Sequence, residues 1–65
     1  MLRSMSRNQE RWAEALKIQR MHGDDAPKWI AERIGSLALA GDEAGVRRFR
    51  DIAVRLDQLL AASIQ

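Results

Sequence analysis

His22 is the single histidine of the chain, and Asp24 and Asp25 follow it closely. One imidazole beside two carboxylates is the nearest this sequence comes to a metal site. Zinc sites space their ligands so that several side chains converge on one ion, which adjacent carboxylates rarely do. A plainer account covers all three residues. His22 falls at the expected end of a helix, where a positive side chain interacts well with the dipole. The two aspartates stand at the expected start of the next. No metal and no other cofactor is expected.

Catalysis lacks parts. The chain has no cysteine and no tyrosine. Ser4, Ser6, Ser36 and Ser63 have no base nearby in sequence and no strand-turn-helix elbow to present a nucleophile. Paired carboxylates occur as Asp24-Asp25 and Asp42-Glu43, both at expected helix starts. Acid catalysis would need one of them held at a raised pKa by burial, which a loop rarely gives. Neither an enzyme nor a small-molecule substrate is expected.

Arginine raises the question of nucleic acid. The run Ile30 to Ser36, with Ala31 and Gly35 four apart, resembles the first helix and turn of a helix-turn-helix. A recognition helix should then begin at once, with an apolar anchor about six residues on. That position is Gly41, itself a helix stop. Arg47, Arg48 and Arg50 are the candidate phosphate contacts of this degenerate arrangement. Asp51 stands four residues from both Arg47 and Arg55, so pairing on one helix face would interrupt a basic stripe. Sequence-selective DNA binding is therefore not expected, and nucleic-acid association is the second reading.

These residues have to be positioned by a short chain. Sixty-five residues make one domain, which hides only about 60% of the surface its unfolded form exposes. Without cysteine there is no disulfide to help it. Eleven Lys and Arg against nine Asp and Glu leave a net charge of +2, which serves solubility more than it implies an anionic partner. The longest apolar run, Leu37 to Gly41, falls far short of the roughly 20 residues of a membrane span. Arg3, Arg7 and Arg11 lack the apolar core of a targeting peptide. A soluble, cytoplasmic protein is expected, with translation starting at Met1 or Met5.

Apolar periodicity predicts an all-α fold, a small three-helix bundle with helices near 7–22, 26–40 and 43–62. Met1 to Met5 is expected to be frayed, and residues 6–65 form the single domain. Ser6 with Gln9 reads as a capping box. Gly23 and Gly41 read as stops, followed by aspartates that can cap. Pro27 is tolerated in a first turn. In the third helix Val46, Phe49, Ala53, Leu56 and Leu60 alternate at three and four residues, widened by Ile52 and Leu59. The expected core is Trp12, Leu16, Ile30, Ile34, Leu37, Phe49, Ile52, Leu56 and Leu60. Gly35 is expected to mark a close helix crossing.

Four large apolar residues are left outside that core: Ile18, Met21, Leu39 and Val54. On so small a domain they lean toward an interface with a protein partner or a second copy of the chain. The leading reading is therefore a non-enzymatic helical interaction module.

One resemblance bears on all of this. Trp12, the run His22 to Pro27, Trp29-Ile30, the run Leu37 to Asp42, Ile52-Ala53 and Arg55-Leu56 resemble a family of short sphingomonad proteins catalogued only as a domain of unknown function. It covers about residues 10 to 60. The family commonly has tryptophan where this chain has Phe49, which keeps an aromatic there. The resemblance implies a bacterial, cytosolic, helical protein and carries over no catalytic or binding residue.

Overall fold

The computed structural model describes residues 6–62, and every regular element among them is helical. The expected fraying of Met1 to Met5, and the chain beyond Ala62, lie outside the described residues. Helix α1 spans Arg7–His22. Its first turn is closed as the sequence predicts. The Gln9 amide donates to Ser6 Oγ at 3.1 Å, and the Ser6 amide donates to Gln9 Oε1 at 2.9 Å.

The first glycine-aspartate stop behaves differently from expectation. Gly23 adopts φ +58° and its N–H bonds back to the Gln19 carbonyl, but the chain continues into a 3₁₀ turn, Gly23–Asp25. Helix α2, Ala26–Leu39, follows directly, with Pro27 in its first turn. Neither Asp24 nor Asp25 caps it with a side chain. The N–H of Ala26 is bonded to the Gly23 carbonyl and Pro27 has no N–H, so two of the first-turn positions leave no free donor for a cap. Arg7 to Leu39 is thus one bent helical run.

At the second stop the expectation holds. Gly41 sits at φ +77°, its N–H donates to the Ala38 carbonyl, and the Asp42 N–H donates to that of Leu37 at 2.9 Å. These two bonds close α2 as a Schellman motif, which needs the left-handed residue that glycine provides. Asp42 Oδ1 then accepts from the Gly45 amide at 2.9 Å and opens α3, Glu43–Ala62.

Helix α3 packs on both arms of the bend and runs opposite in sense to each. Arg55 reaches back to Asn8 and Arg48 to Glu14 on α1, while Arg33 of α2 lies over Phe49. The molecule measures 36 × 34 × 17 Å, too broad for three nearly parallel rods. It is a flat arrangement with α3 laid across the bend.

The core lies where the bend meets α3: Ala15 and Ile18 from α1, Ala26 and Ile30 from α2, Ile52 and Leu56 from α3. Trp29, Ile34, Phe49, Ala53, Leu59 and Leu60 pack around it, half-buried. Two expectations for α1 are corrected. Ile18 is buried at 8% exposure and is not an outward residue, whereas Leu16 is 37% exposed and is not core. The inward stripe runs through Arg11, Ala15, Ile18 and His22, spaced four, three and four. Ala15 lets α3 approach closely, and Arg11 contributes its aliphatic stem, so the buried stripe is not the most hydrophobic one. Trp12 and Leu37, also expected in the core, are half-buried and lie outside the core cluster. Gly35 is exposed, and a Cβ built there would meet nothing within 4 Å, so no helix crosses closely at that point.

Candidate functional site

An aromatic ladder fixes the bend. The His22 ring stacks on Trp29 with centroids 4.7 Å apart and planes at 20°. Trp29 in turn meets Phe49 of α3 at 6.1 Å and 58°, a tilted contact. The guanidinium of Arg33 lies 5.9 Å from the Phe49 ring centroid on α2's own side. His22 is therefore a packing residue across the bend. Among the described residues no group of three or more His, Cys, Asp or Glu could hold a metal ion.

Beside this ladder lies a groove of about 340 Å³ between α1 and the other two helices. Ile18 and Trp29 line it from within, Met21 and His22 flank them, and Glu14, Lys17 and Arg48 provide charge. Met21 is 66% exposed at this groove. A second apolar groove of about 300 Å³ separates α2 from α3 and is lined by Pro27, Ile30, Ala53, Val54 and Leu56, with Asp57 beside them. Val54 is half exposed there.

The four apolar residues expected to form one interface are thus distributed. Ile18 and Met21 share the first groove, Ile18 as buried lining and Met21 in solvent. Val54 belongs to the second. Leu39, 92% exposed, is the last residue of α2 and lines neither. The expectation that Ile18 is a surface residue fails because α1 is rotated toward α3.

The arginines are also arranged differently from the sequence reading. Glu14 Oε2 accepts from both Nε and Nη2 of Arg48, at 3.2 and 2.8 Å, while Oε1 accepts from Arg11 Nη1 at 3.2 Å. One carboxylate thereby ties α1 to α3. Arg55 donates to Asn8 Oδ1 at 2.6 Å and lies 6.0 Å from the Trp12 ring centroid. Among the described residues Asp51 forms no ion pair with Arg47 or Arg55, so the expected pairing along α3 is not made. Nor is the helix-turn-helix arrangement formed: α2 continues through Gly35 and Ser36 to Leu39, and Ser36 Oγ donates to the Glu32 carbonyl inside the helix.

Sequence reasoning missed Arg7 and Arg11 as neighbours of α3. With Ala44, Arg47, Arg48 and Asp51 they line a groove of about 350 Å³. Their four-residue spacing put them on one face of α1, but only the rotation of α1 turned that face to α3. Arg50 lies in an adjoining groove that Arg47 also lines. Among the described residues no helix is long and apolar enough to cross a membrane.

Residues 7–63 match the model of a family of unknown function (DUF6961), and the chain belongs to that family. No curated protein and no solved structure matches it.

Proposed function

We propose that this member of the family is a non-enzymatic module that works by association, with another protein or with a second copy of itself. The observation that carries the reading is the groove beside the aromatic ladder. Met21 stands two-thirds exposed at an opening lined by Ile18 and Trp29, charged at its margin by Glu14, Lys17 and Arg48. An exposed thioether beside an apolar floor suits a helical partner, because methionine adapts its shape at low strain. The half-exposed Val54 on the second groove gives α3 a further apolar contact. A small bacterial protein of the sphingomonad cytosol is the setting that the sequence resemblance favours, and the chain's lack of cysteine is compatible with it.

The test uses Met21→Glu, which places charge at the groove without entering the core. Sedimentation over a wide concentration range reads self-association, and affinity capture from a bacterial host lysate, compared with wild type, reads partner binding. Loss of a dimer, or of specific captured proteins, in the variant supports the reading. A wild-type monomer at all concentrations, with the same proteins captured by both forms, overturns it.

A further inference from the structure

The groove between the amino-terminal part of α1 and α3 gathers Arg7 and Arg11 from one helix with Arg47 and Arg48 from the other. Two acidic residues face them: Asp51 in the groove, and Glu14, which bridges Arg11 and Arg48. Four arginines against these two acids leave two positive charges. That equals the net charge of the whole chain, whose remaining seven Lys and Arg and seven Asp and Glu cancel. The groove thus carries a local excess of positive charge.

The available donors are those of Arg7 and Arg47, since Arg48 is held by Glu14 and Arg11 is largely buried. Among the described residues Arg7 and Arg47 make no ion pair. A guanidinium presents five N–H donors in a fork that matches phosphate oxygens. The adjoining groove sets Asp42 and Glu43 against Arg47 and Arg50, so the positive excess lies in the first groove. Apparatus for reading bases is missing from this surface. Its lining holds no aromatic and no amide side chain, while Trp12 lies under Arg55 and Trp29 is stacked on His22. We propose that this groove binds the phosphate backbone of a nucleic acid without reading its sequence. The association surface beside Met21 shares Arg48 with this groove, whereas Arg7 and Arg47 line the arginine groove and not the other, so variants at those two test this reading apart from the first.

Fluorescence anisotropy with labelled mixed-sequence single strands and duplexes tests this on the full chain. At about 50 mM salt a Kd on the order of 0.1 mM or tighter is expected, weakening roughly tenfold for a fourfold rise in salt, as release of about two counterions requires. Arg7→Gln and Arg47→Gln should each weaken binding about fivefold and flatten the salt slope by about one. Lys28→Gln removes the same charge from a different surface, beside Asp25 and Glu32, and should change affinity less than about twofold. Circular dichroism confirms that each variant keeps its helices. The proposal is overturned by absent binding at about 50 mM salt, or by equal losses in Lys28→Gln and Arg47→Gln. Tighter binding to phosphatidylserine vesicles than to nucleic acid would reassign the groove to membranes. Strong preference for one base sequence would overturn the claim that bases are not read.

Discussion

Glu14 on α1 and Arg48 on α3 are 34 residues apart in sequence and joined at 2.8 Å. The same carboxylate holds Arg11, whose side chain is only 15% exposed. An exposed pair contributes about 0–1 kcal/mol, since water screens the attraction and two long side chains lose freedom. Sharing with the better-buried Arg11 moves this one toward the upper end. Glu14→Gln should lower stability by about 1 kcal/mol in urea unfolding, with a smaller difference at high salt. A neutral effect at low salt would mean that apolar packing alone aligns the two helices.

The rotation of α1 predicts a contrast between two neighbours. Ile18→Ala removes buried methyl groups and should cost about 2–4 kcal/mol, with the protein partly unfolded in consequence. Leu16→Ala, at a position 37% exposed, should cost less than about 1 kcal/mol. Thermal unfolding of both variants checks it, and a larger loss at Leu16 would restore the stripe read from sequence.

That contrast shows where sequence was sufficient and where it was not. The ends of the helices were legible because capping and proline rules act within a few residues: Ser6 with Gln9, Pro27, Gly41 with Asp42. The core of α3 was legible too, since Ile52 and Leu56 sit on a strongly apolar stripe. The face of α1 was not, because its inward positions are an alanine, an arginine stem and a histidine ring beside one isoleucine. Hydrophobicity favoured Trp12 and Leu16, while shape chose Ala15. The arginine groove depends on that same rotation and was hidden with it.

Two aspartates in matching sequence contexts should respond differently to truncation. Asp42 accepts the Gly45 amide, so Asp42→Ala should cost about 1 kcal/mol, as loss of a helix cap does. Asp25 makes no side-chain cap bond, and Asp25→Ala should change stability by less than about 0.5 kcal/mol. Equal losses in chemical unfolding would show that the 3₁₀ turn needs its aspartate after all.

Gly35 offers a stabilising substitution. It lies in the interior of α2, away from the left-handed region that Gly23 and Gly41 occupy, and a Cβ there meets open space. Alanine restricts the unfolded chain and favours the helix, so Gly35→Ala should add about 1 kcal/mol. For a domain of this size that corresponds to a rise in Tm of several degrees, about 4–8 °C. An unchanged or lowered Tm would point to a cost at this position that the geometry does not show.

Met21 separates stability from association. Its side chain is 66% exposed, so Met21→Glu should leave helix content intact and change monomer stability by less than about 0.5 kcal/mol. Ile18→Glu cannot serve the same purpose, because a carboxylate at that buried site would disrupt the core itself. If two copies pair through the groove, the wild-type Tm should rise with protein concentration, since assembly stabilises the folded state by mass action. Met21→Glu should abolish that dependence and converge on the wild-type Tm at high dilution. Scanning calorimetry over a hundredfold concentration range reads both features together. A concentration dependence that survives the substitution would place the contact elsewhere, and the second groove beside Val54 would then be the surface to mutate.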